Sequence, residues 1–348
     1  MLQTSTFPYT LQRYQGRATR YTCPSCKKPH CFTRYLDTVT GELLDTPYGR
    51  CDHELNCSYH HSPYQAKPPK ELVAVSELGK AGTIRPATET NQSLWLTPPA
   101  VHTIPTTIFE ASVQPDYYRV NALATFLRKH FGLGDANELL RRFQLGTSAY
   151  WPDACIFWLI DGQGRVRGGQ VVLYDETGHT VKINGYRHTC WIHTALTRRH
   201  QRLGMPVPTW LVDYNTYGQK SPCLFGLPQL ATAPANQPIA IVESAKTAML
   251  ASYYMPEFLW LATMGLGNLT EERLRLLKGR KIRLYPDAGA FEKWNQQAMA
   301  LRRLGYQIEV SDLLEKVVTP AGRQAGLDLA DMLLHEHSGY PPSWDPKL

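Results

Sequence analysis

The last third of the chain alternates strand and helix patterns, and that alternation leaves few folds open. "PIAIVES" (238–244) is an apolar run ending in Glu243, "AKTAMLASYY" continues as a helix, and "FLWLATM" is a second strand. "NLTEERLRLLKG" reads as a helix with Thr270 as N-cap and Gly279 as C-cap. "KIRLYPD" is a third strand ending in Asp287, "AFEKWNQQAMALRRLG" a helix, and "YQIEVSDLL" a fourth strand. Strands that alternate with helices pair in parallel, because each crossover carries the chain back to the same end of the sheet. Ligands of such sheets bind beyond the carboxyl ends of the strands. Glu243 and Asp287 fall at those ends, and "LDLADMLL" puts Asp328 and Asp331 at a helix start.

Carboxylates gathered at one sheet edge repel one another. A divalent cation that prefers oxygen, Mg2+ or Mn2+, offsets the repulsion and can stabilise charge during phosphoryl transfer. The plainer alternative is that these acids cap the helices that follow them.

The front of the chain has a different character. Cys23-x2-Cys26 and Cys51-x5-Cys57 bracket a polar stretch in which "HCFTRYLDT" and "ELLDTPYGR" read as strands joined by a turn at Thr40-Gly41. Two cysteine pairs at the ends of a short hairpin form a zinc ribbon, and four thiolates with no open position make a structural Zn2+ site. The second pair is wider than the common spacing, and His30, Cys31, His53, His60 and His61 stand nearby as substitutes. The eight cysteines come without an apolar signal-peptide core, which argues against a disulfide framework and for a cytoplasmic location. No apolar run is long enough for a membrane span.

A chain of 348 residues has room for more than one core. We divide it into a zinc ribbon (1–65), a Pro-, Thr- and Ser-rich linker (66–116), a basic α/β subdomain (117–236) and the parallel-sheet domain (237–348). In the subdomain, "NALATFLRKHFG" and "ANELLRRFQLG" read as two helices, the second stopped by Gly146, and "ACIFWLIDGQGRVRGGQVVLYD" as a β-hairpin. The net charge of +7 is uneven. Lys and Arg outnumber Asp and Glu by 9 to 5 over residues 1–70 and 13 to 7 over 119–220, but equal them at 12 each over 237–340. The positive excess therefore lies in the first two-thirds, where it suits a polyanion. Arg165, Arg167, Lys182, Arg187, Arg198, Arg199, Arg202 and Lys220 can supply a basic strip. Tyr174, Tyr186, Trp191 and Tyr217 lie among them, either as stacking platforms for single-stranded DNA or RNA or as ordinary core residues.

Taken together, "IVESAKTAML", "RLYPDAGAFEKW" and "LDLADMLL" resemble a Toprim domain. With a zinc ribbon ahead and the strand pair "WLIDGQGRVRGGQVVLYD" between, the order is similar to DnaG-type and phage-type primases, including those on bacterial mobile elements. The resemblance covers residues 20–60 and 117–335. It implies a primase-like nucleotidyltransferase that joins nucleoside triphosphates on a single-stranded template. Glu243 would match the first acidic motif, Asp287 the first acid of a D-x-D motif, and Asp328 with Asp331 the later one; Lys246 sits where a basic residue is often found. Gly289 stands where the second acid is expected, which puts two-metal chemistry in doubt. In this reading Phe32, Arg34, Tyr35 and Arg50 of the ribbon would touch template. No G-x-x-x-x-G-K-[ST] loop occurs, so unwinding would fall to a separate replicative helicase. A Toprim nuclease and a catalytically degenerate nucleic-acid-binding factor for replication or defence are the competing readings.

Overall fold

The computed structural model describes residues 9–12, 16–38, 40–53, 57, 59–63, 101–184, 186–218 and 222–336. The chain forms two compact units, 1–98 and 99–348.

In the first unit four short antiparallel strands lie in the order β1-β2-β3-β4: β1 (Tyr9–Leu11), β2 (Phe32–Asp37), β3 (Gly49–Cys51) and β4 (His60–His61). The register Phe32↔Cys51 brings the second cysteine pair back to the first. The expected turn forms: Asp37 Oδ1 accepts from the Thr40 amide and Asp37 O from the Gly41 amide. The second strand is shorter than "ELLDTPYGR" suggests. Only its end pairs as β3; Leu43 makes a single bridge to Leu36. The small core is Cys23, Cys31, Phe32 and Cys51.

The second unit begins inside the expected linker. Ile104 is buried and its amide bonds to Val166 O, and helix α1 (Thr106–Ser112) follows. Helix α2 (Ala122–Arg142) is two helices across a break at Gly132, as the two periodic segments imply, but it ends at Arg142 rather than at Gly146. Gly146 instead opens strand β5 (Gly146–Ser148). The expected hairpin forms as β6 (Ala154–Ile160) and β7 (Val166–Val172). A small two-stranded arm, β8 (Lys182–Ile183) and β9 (Tyr186–Arg187), leaves the β7 edge before β10 (Thr189–Trp191) returns to it. The antiparallel sheet order is β10-β7-β6-β5. Helices α3 (Ile192–Arg202) and α4 (Thr209–Tyr217) complete this half.

The parallel sheet then builds as the alternation requires: β11 (Ile239–Val242), α5 (Ala245–Tyr254), β12 (Leu259–Ala262), α6 (Glu271–Leu274), β13 (Lys281–Leu284), α7 (Phe291–Arg303) and β14 (Gln307–Val310). The order is β12-β11-β13-β14, every pair parallel. The helix expected over 268–279 shrinks to one α-turn and one 3-10 turn, and the Thr270 side chain makes no cap bond. Helices α8 (Leu313–Val317), α9 (Pro320–Ala325) and α10 (Leu329–Glu336) close the domain. Phe225 ties the two sheets together. It bridges to Ala262 through reciprocal backbone bonds, and its ring stacks on Phe143 and meets Phe157 edge-on. The fold is thus α/β, with a small β-ribbon unit first and a parallel sheet last.

Candidate active site and zinc centre

Glu243 follows β11 directly. Its carbonyl accepts from the Met264 amide beyond β12, which ties the strand end to that neighbour. Ser244 caps α5 by accepting from the Thr247 amide, which places Lys246 and Thr247 in the first helical turn beside the acids. Asp287 lies three residues past β13, in the turn into α7. Its Oδ1 is buried and has no hydrogen-bond partner among the described residues. Burial drives the Asp287 carboxyl well above the usual range. The charges of Glu243, Asp328 and Asp331 add to this, and Lys246 works against it. Asp287 thus lies within the field of the other three acids read from the sequence.

The later pair is also a helix cap. The Asp331 amide donates to Asp328 Oδ1 and the Asp328 amide to Asp331 Oδ2, a reciprocal box at the start of α10. Asp328 Oδ2 accepts from Thr247 Oγ1 at 2.6 Å. Capping and clustering thus operate together in these two residues.

Sequence reasoning missed the turn between β7 and β8. Asp175 Oδ1 accepts from the Thr177 amide and hydroxyl and from the His179 amide, folding "DETGH" into a tight loop. Gly178 has φ +76°, and a Cβ there would lie 2.7 Å from the Phe126 ring, so the loop needs glycine. Its carbonyl accepts from Lys246 Nζ at 3.2 Å, and His179 Nε2 lies 3.6 Å from Asp331 Oδ1. The "DETGH" composition is a turn signal, but its position over the parallel sheet is a long-range outcome.

Gly289, where a second acid was expected, has φ +86°, and its amide donates to Glu315 Oε1 at 2.9 Å. Glu315 is paired with Arg323 at 2.7 Å. A carboxylate does stand near position 289, supplied by α8 and already neutralised.

Oxygen donors of this kind suit Mg2+ or Mn2+, and the orphaned Asp287 Oδ1 fits such an ion. Among the described residues, however, only thiol and histidine groups bring three or more ligand atoms within 4.8 Å of one another. Cys23, Cys26, Cys51 and Cys57 form one such set. Cys23 Sγ and Cys57 Sγ are 3.6 Å apart and Cys26 Sγ and Cys51 Sγ 3.9 Å. A tetrahedron with Zn–S bonds of about 2.3 Å has edges of about 3.8 Å, so zinc fits. Cys31 and His53 form a second set with Cys26 and Cys51. Burial drives the Cys51 thiol upward, a cost that a bound dication offsets.

The basic residues separate into classes. Arg165 and Arg167 both pair with Asp161, at 2.8 and 3.3 Å, and hold the β6–β7 turn. Lys182 and Arg187 are exposed and face each other across the β8–β9 arm. Arg198 and Arg199 are exposed on α3, Arg198 donating to Tyr150 Oη. Lys220 lies outside the described residues. In the ribbon, Arg34 is spent on Leu44 O and Asp45, and Arg50 is exposed. Phe32 and Tyr35, read as template contacts, are instead buried, Tyr35 bonded to His60. Tyr174 is also core, whereas Tyr186 and Tyr217 are exposed.

A family model described as a domain of unknown function (DUF6371) matches residues 121–288, and one described as a zinc beta-ribbon finger matches 7–71. No curated protein matches the chain. Among solved structures, the E. coli primase catalytic core is similar at 14% identity over 66% of this chain and 74% of that one, with a TM-score of 0.39. The primase fragment of the bacteriophage T7 primase-helicase is similar at 12% identity over 92% and 95%, with a TM-score of 0.37. A DnaG primase catalytic domain bound to ssDNA is similar at 15% identity over 67% and 83%, with a TM-score of 0.38. With TM-scores below 0.5, these are similarities only, and the functional reading rests on the residues themselves. Among the described residues no helix is long and apolar enough to cross a membrane.

Proposed function

We propose that the chain is a primase-like nucleotidyltransferase that joins nucleoside triphosphates on a single-stranded DNA template, with the parallel sheet acting as a Toprim-like domain. The observation that carries this reading is Asp287 Oδ1, buried without a partner beside Glu243 at the carboxyl end of the sheet. A desolvated acid among acids must hold a proton or a cation, and a bound cation lets it ionise. Mg2+ is commonly held by one or two carboxylates, with water and substrate phosphates completing its shell. Glu243 and Asp287 are the residues to hold it, and the ion would supply charge stabilisation at the reacting phosphate. Asp328 and Asp331, occupied as caps, set the rear wall of the site. Lys246 neutralises that wall and keeps the turn at Gly178 seated. The β8–β9 arm leaves the same turn, so exposed Lys182 and Arg187 can take template phosphates while Tyr186 offers a stacking face. Service to a phage or mobile element, with a separate helicase, belongs to the same proposal.

A second reading has its own observation. Gly289 carries no acid, and the carboxylate nearest it is tied to Arg323. That favours a degenerate, nucleic-acid-binding domain. Incubation with single-stranded DNA, labelled nucleoside triphosphates and Mg2+ or Mn2+ separates the two. Template-dependent oligomers lost in Glu243→Gln support the enzyme; binding without synthesis or cleavage supports the degenerate domain. Template cleavage would make it a nuclease.

A further inference from the structure

A cavity away from the carboxylate site shares no residue with it. It has a volume of about 1160 Å3 and lies between α1, β5 and α3. Its apolar lining is mostly aliphatic, including Ile108, Ala111, Ile156 and Leu196, with Tyr150 and Tyr117 the aromatic members. Of the lining residues, Tyr117, Val120 and Leu203 leave 49%, 56% and 53% of their surfaces open. Exposed apolar side chains that line one groove beside polar and charged groups are a feature of interaction sites.

The rim is basic. Arg199 and Arg202, on the last turns of α3, are exposed, and His200 lies between them. The His200 Nδ1 is buried and has no hydrogen-bond partner among the described residues. Asp153 is the one acid in the lining. The cavity is larger than the roughly 300–1,000 Å3 that small molecules usually fill. Nucleic acid matches less of the lining, because bases bind by stacking on aromatic faces and only Tyr117 and Tyr150 offer them among mostly aliphatic side chains. A polypeptide with an apolar stripe and acidic flanks satisfies both parts of the surface, in the helix-in-groove manner.

We propose that this groove docks an acidic amphipathic segment of a partner protein, its apolar side chains on the lining about Ile108 and Leu196 and its carboxylates on Arg199 and Arg202. The inference does not depend on the catalytic reading.

The test uses the full chain and a fluorescein-labelled, helix-forming peptide with Leu at helical spacing and Glu on the flanks, followed by anisotropy. Saturable binding is expected, with a peptide carrying Lys in place of Glu much weaker. Leu203→Asp and the pair Arg199→Glu with Arg202→Glu should each weaken binding at least about tenfold, a loss of some 1.4 kcal/mol. All three positions are exposed, so unfolding is not the expected cause, and circular dichroism of each variant checks it. Lys182→Ala with Arg187→Ala should leave peptide binding unchanged. Equal binding of the Glu and Lys peptides, or binding indifferent to both groove variants, overturns the proposal. So does a result in which the arginine pair loses single-stranded DNA but not peptide, which would assign α3 to nucleic acid.

Discussion

Lys246 Nζ lies 3.7 Å from Asp331 Oδ1 while donating to Gly178 O at 3.2 Å, with only 8% of its side chain exposed. One buried ammonium thus serves the acidic cluster and a turn from the other sheet. Its removal leaves half-buried Asp331 without this counter-charge and Gly178 O without its donor, a smaller loss than the about 3–5 kcal/mol of a fully buried pair. Lys246→Met keeps the chain volume, so a loss of about 1–3 kcal/mol in urea unfolding is expected. Lys246→Met combined with Asp331→Asn should recover much of it. A single variant as stable as wild type would show that the pairing contributes nothing.

Asp287 gives a pH signature. Its carboxyl is raised in the folded chain by burial first and by neighbouring acids second. The folded state therefore holds the proton more tightly than the unfolded state. The associated stability is fully present below the unfolded carboxyl pKa of about 3.9 and is lost as pH rises through the raised folded value. At neutral pH keeping this carboxyl in its desolvated site destabilises metal-free protein. Asp287→Asn should then melt higher than wild type in EDTA, with the gap closing as pH falls toward about 4. Added Mg2+ should raise the wild-type melting temperature more than that of the variant. A gap independent of both pH and Mg2+ would mean that the Asp287 charge does not matter.

Local patterning made much of this legible. Strand–helix alternation required the parallel sheet, and Glu243 and Asp287 followed from their places at strand ends. Asp328 and Asp331 carried both readings because an acid three residues after a cap is itself a capping signal. Arg165 and Arg167 looked like ligand groups because their partner, Asp161, acts through a turn whose geometry is invisible in a charge count. His179 was missed because its approach to Asp331 is made by tertiary packing across 152 positions of sequence. Phe32 and Tyr35 read as template contacts in the sequence, but a ribbon so small takes Phe32 into its core and buries Tyr35 against His60.

Gly289 sets a backbone limit on restoring an acid. At φ +86° a Cβ would meet Arg323 Cγ at 3.6 Å, an ordinary contact, so the obstacle is conformational rather than steric. Gly289→Ala should cost about 1–2 kcal/mol. Gly289→Asp should cost less than Ala, because Asp tolerates left-handed backbone better. Unfolding of the two variants side by side measures this; an Ala variant as stable as wild type would remove the conformational argument.

The zinc centre yields a test of ligand choice. The Cys23–Cys57 and Cys26–Cys51 sulfur separations, 3.6 and 3.9 Å, match the edges of a thiolate tetrahedron. Cys31 Sγ instead donates to Lys28 O at 3.1 Å, and His53 Nδ1 stands 3.9 Å from Cys26 Sγ. Cys31 Sγ also lies 3.8 Å from Cys51 Sγ, so Cys26, Cys31, Cys51 and His53 form an alternative set that substitution tells apart from the four-cysteine one. Protein prepared without chelators should carry about one zinc per chain, as a closed four-cysteine site requires. Cys57→Ser should lose that zinc, whereas Cys31→Ser and His53→Ala should keep it. Since residues 1–98 and 99–348 are separate compact units, zinc loss should melt the first and leave the unfolding transition of the second in place. Metal analysis together with calorimetry reads both outcomes. Zinc retained in Cys57→Ser but lost in His53→Ala would transfer the site to the set of Cys26, Cys31, Cys51 and His53.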